Sequence, residues 1–414
     1  MQKVFTIITV CAVAFSIGSC GSKSGGMGAE PRSPMILLVD SSATGSNNGT
    51  SWTDAYVSLE DTIDESIPGD EIWVAAGTYK PTSGSDRSIS FELVEDLALY
   101  GGFDGTETER SARDWKTNIT ILSGDINTAG DDTDNSYHVV KGADGIVLDG
   151  FKISGGYATG AYPNERGAGM YNTSGSHTIV NCVFKNNTAI TTDPNGMGGG
   201  MYNQSCSALI RDCVFTGNSG FSGAGLYNFT SNPGTDVVTV VNCVFNGNQA
   251  TENGGGMNNY GNMVLTITNC VFYDNTAGVS YSGGGIYNND CSPLITNCIL
   301  WDNTDSISDD GAAASSVSYS SIEGGFSGTG NIDADPSFSD DTDPNGTDNL
   351  WMTSDDGLRL ASGSPCIDAG SNSAVPVEIS SDIAGNPRFY DDGTTVDTGE
   401  GTAPIVDMGA YEYQ

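Results

Sequence analysis

The sequence predicts an all-β fold, a single-stranded right-handed parallel β-helix that coils through most of the chain. The first observation behind this prediction is an internal repeat of roughly thirty residues in the middle of the sequence. A glycine-rich motif of the GGGMYN type begins each copy, at Gly167, Gly198, Gly223, Gly254 and Gly283. A motif of the NCVF type follows, with its cysteine at Cys182, Cys213, Cys243, Cys270 and Cys298. Two motifs that recur together indicate a stacked array.

The second and third observations are strand-like alternation within each copy and turn residues between the alternating segments. The segment 265–268 (LTIT) alternates apolar and polar residues, Asn269 interrupts it, and 270–272 (CVF) resumes the alternation. A unit this short cannot bury one face by itself, so copies must stack at about 4.8 Å. In the first four copies cysteine and phenylalanine lie two residues apart, and in the fifth Leu300 replaces the ring. This spacing predicts that both side chains point inward and form columns.

Asparagines and glycines are expected to shape the bends of the coil. We expect left-handed backbone and hydrogen bonds between copies at one asparagine column: Asn187, Asn218, Asn248, Asn275 and Asn303. The glycine triplets predict tight bends or close backbone approach. Identical inward cysteines on neighbouring copies have parallel Cβ directions, which favours packed free thiols over disulfides.

The charge balance limits the classes of partner. The chain of 414 residues has 52 acidic and 15 basic side chains and a formal net charge of −37. Because binding to a phosphate backbone depends on Lys and Arg, nucleic acid is excluded as a partner. Divalent cations and neutral sugars stay compatible with this charge. Only His138 and His177 could serve histidine chemistry.

The N-terminus has the pattern of an export signal. Lys3 precedes an apolar run from Val4 to Ile17, which is shorter than a membrane-spanning helix requires. The run ends in IGSC at Cys20, which resembles the bacterial lipobox. This resemblance implies a signal peptide over 1–19, a lipid on Cys20, a flexible tether over 20–35, and a protein exported and lipid-anchored to the bacterial cell envelope. A plain secretory signal with a chance cysteine is the alternative.

Two further resemblances cover most of the mature chain. The GGGMYN and FxxN motifs resemble the repeats of polymorphic outer-membrane proteins. The C-terminal motifs DGLRLASGSPCIDAG from Asp356, DIAGNPR from Asp382 and VDMGAYEY from Val406 are similar to the choice-of-anchor Q domain. These resemblances imply an N-terminal cap and first rungs over 36–165, repeat rungs over 166–325, and a C-terminal capping region over 326–414.

Two groups of residues are candidate binding sites. The tyrosines of the YN motif would form a sugar-stacking platform if they point outward and part of the core if they point inward, and we favour the core: Tyr171, Tyr202, Tyr227 and Tyr287. One acidic turn spaces oxygen ligands like the start of an EF-hand calcium loop: Asp341, Asp343, Asn345 and Asn349. Met352 stands where that loop requires glutamate, so a solvated turn is the favoured interpretation. No other cofactor is indicated.

The predicted function is non-catalytic. We expect an anchored protein whose elongated body presents a binding or adhesive surface, with glycans as candidate ligands. The first alternative is a β-helix polysaccharide lyase or glycoside hydrolase, which would need a basic residue or a histidine placed among carboxylates. No such cluster is evident in the sequence. The second alternative is a structural spacer of the cell envelope without a specific ligand.

Overall fold

The computed structural model describes residues 32–190, 195–278 and 283–414. Residues from Pro34 to Gln414 form one compact unit. The signal peptide, Cys20 and the tether up to residue 31 lie outside the described residues, so their assignment stays a prediction. Within the described part of the chain, no helix is long and apolar enough to cross a membrane.

Three long parallel sheets run along the coil. The strands of the first sheet are Ile36–Val39, Glu71–Ala75, Ala98–Phe103, Ile146–Asp149, Ser176–Val180, Ser207–Arg211, Val237–Val241, Val264–Thr268, Leu294–Thr296 and Ser316–Ser318. Those of the second are Gly77–Tyr79, Thr120–Ser123, Phe151–Ser154, Val183–Lys185, Val214–Thr216, Val244–Asn246, Val271–Tyr273, Ile299–Trp301 and Ser321–Ile322. Those of the third are Phe91–Glu92, Val140–Lys141, Met170–Thr173, Met201–Gln204, Leu226–Phe229, Met257–Tyr260, Ile286–Asn289 and Ile307–Asp310.

A short fourth sheet and a few helical turns complete the elements. The fourth sheet contains Thr188–Ala189, Ser219–Ser222 and Gln249–Asn253. The α-helix Leu59–Asp64 begins after Ser58, whose hydroxyl accepts from the backbone N–H of Asp61. The 3₁₀ helices are Arg110–Ala112, Asp132–Asp134 and Asn372–Ala374.

The register of the strands confirms the stacked all-β coil. From Glu71 onward the chain passes through the first, second and third sheets in turn, and equivalent residues of successive copies pair directly. In the second sheet, Phe184 pairs with Phe215, which pairs with Phe245. The pairing is parallel in every strand pair of these sheets. The coil is therefore a parallel β-helix, and its right-handed sense stays a prediction.

The predicted inward columns are confirmed. The phenylalanine rings of the second sheet stack face to face, with centroids 4.9, 4.8 and 4.5 Å apart from Phe184 to Phe272. These distances match the spacing of neighbouring strands. All five repeat cysteines are fully buried, and the structure shows the eight cysteines of its described part as free thiols. Burial raises the pKa of Cys182 well above its usual value.

Asparagine side chains form hydrogen-bonded ladders, as predicted. Each Nδ2 donates to the Oδ1 of the next copy at 2.9 to 3.1 Å along the column Asn187, Asn218, Asn248, Asn275 and Asn303. A second ladder, on the inner side of the third sheet, has distances of 2.8 to 2.9 Å and contains Asn172, Asn203, Asn228, Asn259 and Asn288. These amides satisfy one another inside the coil, where an unpaired amide would be costly.

The prediction of left-handed backbone at the Asn187 column is wrong. The left-handed residue at that bend is the preceding one, Asn186, with φ of 54°. The bend between the first and second sheets also has left-handed backbone, at Asn181 with φ of 53°. We call the column of this bend the bend ladder; it contains Asn181, Asp212, Asn242, Asn269 and Asn297. Asn187 itself holds successive copies together through its amide.

The glycine triplets serve both predicted purposes. Gly198 has a φ of 70°, which a side chain would strain. Gly200 lies so near the next copy that an added Cβ would be 2.4 Å from the carbonyl oxygen of Gly225. The first glycine therefore makes the turn and the third allows adjacent rungs to approach.

The C-terminal region packs along the side of the coil. The outward aliphatic side chains of the second sheet, from Val183 to Ile299, form one buried cluster with Trp351, Leu358 and Tyr411. Lys116, from the N-terminal rungs, donates to the carbonyl oxygens of Met352 at 2.7 Å and Ala384 at 2.6 Å. The domain limits expected from the sequence are not tested by these contacts and stay predictions.

Candidate functional site

The YN tyrosines lie on the outer side of the third sheet. The residue before each tyrosine, such as Met201 before Tyr202, belongs to the interior hydrophobic cluster, whereas the tyrosines do not. Since successive strand residues face opposite sides, Tyr202 and its equivalents point away from the coil interior. Tyr202, Tyr227 and Tyr287 are nonetheless buried, and Tyr171 is half-buried. The expectation that they join the inner core is wrong, because the groups that cover these rings lie on the outer side of the sheet.

Stacking and the glycine turns together bury these rings. The Tyr171 and Tyr202 rings stack at 5.7 Å, and those of Tyr202 and Tyr227 at 5.5 Å. His138 adds its ring to the N-terminal end of the stack, 5.0 Å from Tyr171. The turn at Gly198 passes so close that an added Cβ would meet the Tyr202 Cβ at 2.8 Å. Glycine at this turn is therefore also what allows the tyrosine to fold against it.

An aromatic cleft opens beside the stack. Its volume is about 260 Å³, and it is lined by Arg166, Met197, Tyr202, Tyr227, Phe229 and Tyr260. Asn258 takes the place of a tyrosine after Tyr227, which interrupts the stack. Phe229 and Tyr260 pair across neighbouring strands with ring centroids 5.7 Å apart, and Tyr260 is 44% exposed. We call these six residues the aromatic cleft.

Arg166 is the positive group of the aromatic cleft. Its Nη1 donates to the Tyr202 hydroxyl at 3.0 Å, and its guanidinium lies 5.4 Å from the Tyr202 ring centroid. The exposed ring of Tyr162 lies 5.1 Å from it on another side. Glu165 forms an ion pair with Nε at 3.3 Å. Arg166 is thus held by aromatic rings and a carboxylate, so its charge is largely compensated.

The hydroxyls of the stack stay protonated. Burial is the main cause that raises the pKa of Tyr202, and Arg166 lowers it in part. Burial also raises the pKa of Tyr227 well above its usual value. The cleft therefore offers neutral phenols, which can donate and accept hydrogen bonds, beside flat apolar faces. Such a combination suits a ligand with hydroxyl groups and a C–H-rich face.

Two of the four predicted tyrosines line the cleft and two do not. Tyr287 lies beyond the gap at Asn258, and its hydroxyl donates to Asp310 at 2.9 Å. Tyr171 lies at the other end of the stack. The sequence reasoning missed Phe229 and Tyr260. Both occupy the next outward position after the YN tyrosine column, so strand alternation is the signal that identifies them.

Comparison with known proteins gives a fold likeness and little else. No protein-family model and no curated protein matches the chain. The chain is similar to the crystal structure of pectate lyase Pel9A at 15% identity and a TM-score of 0.46, covering 92% of this chain and 97% of that one. It is also similar to a deglycosylated pectin methylesterase from Aspergillus niger at 15% identity and a TM-score of 0.35, covering 72% and 86%. At this identity the likeness concerns the coil alone.

The predicted calcium turn lies on the surface of the C-terminal region. Asp341 and Asn349 are exposed, and Asp343 and Asn345 are half-buried. The turn is closed by its own backbone, since Gly346 donates to the carbonyl oxygen of Asp343 at 3.0 Å. Whether these four residues bind calcium stays a prediction. Within the described part of the chain, three carboxylates that lie close enough to hold a metal ion are found elsewhere, at Asp368, Asp391 and Asp397.

Lys152 is one candidate for the base that a lyase would need. Burial, and then the positive charge of Lys185, lowers its pKa, and Asp348 partly opposes this effect. The adjoining cavity, lined by Trp115, Lys116 and Lys152 among others, has a volume of about 10 Å³. That is room for about one water molecule and far less than a sugar ring occupies.

Proposed function

We propose that the aromatic cleft binds a neutral glycan. The observation that carries this proposal is the aromatic lining of a 260 Å³ cleft on the outer side of the third sheet. Phe229 and the exposed Tyr260 offer a face on which a sugar ring can stack. The buried phenol of Tyr227 offers hydrogen bonds to its hydroxyl groups, whereas the Tyr202 hydroxyl already accepts from Arg166 at 3.0 Å and donates to Gln204 at 3.3 Å. A few placed polar groups within an otherwise apolar concavity are the usual composition of a small-ligand site.

Charge favours a neutral ligand over a uronic acid. The chain has a net charge of −37, which repels polyanions over distances set by the ionic strength. Arg166 is the cleft residue that could attract a carboxylate, and it already pairs with Glu165. An acidic sugar would have to compete with this contact. A neutral hexose or N-acetylhexosamine chain has no such cost.

The wider role that we propose is that of an exported receptor or adhesin. The protein is lipid-anchored to the cell envelope through Cys20, and the tether holds the coil away from the membrane. The repeats and the C-terminal region belong to the polymorphic-outer-membrane-protein and choice-of-anchor Q types that they resemble. The support for this proposal is the lipobox-like N-terminus, the repeat motifs and the extended coil.

A glycan array followed by calorimetry on the purified full-length chain tests the proposal. We expect neutral oligosaccharides to bind with dissociation constants of about 10⁻⁴ to 10⁻³ M. Tyr260→Ala should weaken binding by roughly two- to tenfold, because stacking contributes about 0.5 to 1.5 kcal/mol. Tyr390→Ala is the matched control, since Tyr390 is similarly exposed at 42% and lies outside the cleft. An equal loss of affinity in both variants, or no glycan binding by the parent, would contradict the proposal and favour the structural spacer role.

A polysaccharide lyase is the second candidate, favoured by the lowered pKa of Lys152. Its test is a screen for unsaturated products from uronate polysaccharides, with and without calcium. If the protein is a lyase, the parent should form these products, and Lys152→Ala should abolish their formation without unfolding the protein. The small cavity beside Lys152 predicts no such activity.

A further inference from the structure

Three aspartates of the C-terminal region converge on one point. Asp368 follows the segment that packs on the coil, and Asp391 and Asp397 lie in the exposed loop after Tyr390. One carboxylate oxygen from each residue lies within 4.8 Å of the other two. Like charges at this separation repel each other strongly unless a positive group lies between them.

Asp368 is the unusual member of this group. Its relative exposure is 0%, whereas the other two aspartates are exposed. Neither of its carboxylate oxygens has a hydrogen-bond partner of standard geometry. The backbone N–H of Asp392 lowers its pKa in part, whereas burial and the neighbouring aspartates raise it. A buried carboxylate without partners costs several kcal/mol, so its retention calls for a compensating charge.

We propose that Asp368, Asp391 and Asp397 bind a divalent cation, and that the cation is calcium. Three carboxylates without thiolate or imidazole are the ligands of a hard cation. Calcium accepts six to eight oxygen ligands in flexible geometry, and the exposed side of the cluster leaves room for water to complete them. Magnesium demands stricter octahedral geometry and shorter distances.

The backbone around the cluster is fixed in a way that fits this role. The carbonyl oxygen of Asp368 accepts from the N–H groups of Thr398 at 3.0 Å and Gly399 at 3.1 Å. The N–H of Asp368 in turn donates to Asp407 at 2.7 Å. The two sides of the cluster are therefore joined without the cation. The site is therefore preorganised. The cation would compensate the negative charge, and the local fold would not depend on it.

Calorimetry and thermal unfolding of the purified full-length chain with calcium chloride alone test the proposal. We expect a dissociation constant of about 10⁻⁴ to 10⁻³ M and, at about 10 mM calcium, a rise of about 2 °C in the unfolding midpoint at pH 7.5. The same concentration of magnesium chloride should give a smaller rise.

Asp368→Asn distinguishes a cation site from a merely structural acid. Without calcium, this variant should unfold at a higher temperature than the parent, because the buried repulsion is removed. It should also lose the calcium response. The paired substitution Asp341→Asn and Asp343→Asn, in the acidic turn, is the control and should keep the response. No calcium effect on the parent, or the same effect in Asp368→Asn, would overturn the proposal. Loss of the response in the acidic-turn control alone would do so as well.

Discussion

The side-chain amide of Asn242 donates to the carboxylate of Asp212 at 3.1 Å, whereas the next two links of the bend ladder each join two amides, Asn269 to Asn242 at 3.3 Å and Asn297 to Asn269 at 3.0 Å. In this ladder each Nδ2 donates to the residue one rung earlier. A carboxylate cannot donate, so Asp212 leaves the link to Asn181 unmade. Burial is the main cause that raises the pKa of Asp212 to about 6.

Replacing Asp212 with asparagine should therefore stabilise the coil. The new amide can donate to Asn181, which adds about 1 kcal/mol, while the partly exposed ion pair with Arg211 contributes little. The gain should be small near pH 4 and full at pH 7, because the carboxylate has its raised pKa only in the folded state. Urea unfolding at both pH values measures it. The control Asp302→Asn lies at an exposed bend outside the ladder, and an equal gain there would contradict the explanation.

The phenylalanine column predicts that position within the stack determines the cost of a substitution. Phe245 has a ring on each side, at 4.8 and 4.5 Å, whereas Phe272 has a ring on one side and Leu300 on the other. Phe245→Leu should therefore destabilise the protein by about 1 kcal/mol more than Phe272→Leu. Chemical unfolding of both variants gives the comparison. Equal costs would mean that ring stacking adds nothing beyond burial.

The buried thiols predict that the native protein resists thiol reagents. All eight described cysteines are buried, and burial raises the pKa of Cys206 to about 12 and of Cys366 to about 12. Since the thiolate is the reactive form, we expect the native chain at pH 7.5 to label at none of these eight positions. Labelling in denaturant should modify all of them. Mass spectrometry of both samples distinguishes them from Cys11 and Cys20.

The columns could be predicted because they depend on one simple rule. Residues at the same place in each repeat must share a face once copies stack, which identifies the cysteines, the rings and the Asn187 ladder. The direction of the YN tyrosines could not be decided this way. An outward ring becomes buried only if its neighbours and the glycine turn cover it, and that depends on distances between rungs. The cluster at Asp368 joins segments separated in sequence, and no spacing pattern marks it.

The two hydrogen bonds of Lys116 hold the C-terminal region against the coil. Lys116→Met keeps the apolar stem but leaves the carbonyl oxygens of Met352 and Ala384 without their donor, which should cost about 2 to 4 kcal/mol. Hydrogen exchange should increase around these two residues before it increases in the coil. Lys80→Met is the control, because Lys80 makes only a partly exposed ion pair with Asp125 at 3.7 Å. Uniform loss of protection along the coil would contradict a local clamp.

Buried carboxylates predict that stability falls as the pH rises from about 4 to 8.5, and a buried histidine opposes part of this fall below about pH 6.5. Burial raises the pKa of Asp407 to about 7 and of Glu60 to about 8. Between their unfolded and folded pKa values the folded state binds more protons, so the free energy of unfolding falls as the pH rises toward 8.5. Burial lowers the pKa of His138 to about 4. Stability from this residue is complete above about 6.5 and is lost as the pH falls toward 4.

Single substitutions should separate these two contributions to the pH profile. Glu60→Gln should reduce the fall in stability between about pH 4.5 and 8, because the amide cannot ionise. His138→Phe keeps a ring beside Tyr171 and should steepen the fall between about pH 4 and 6.5, because the opposing contribution of the imidazole is lost. Unfolding midpoints from pH 4 to pH 9 in calcium-free buffer provide the measurement, since a cation bound at Asp368 would add stability at high pH. If both variants kept the parent's profile, the pH dependence would come from the net negative charge of the whole chain, which is spread over many surface groups and responds to added salt.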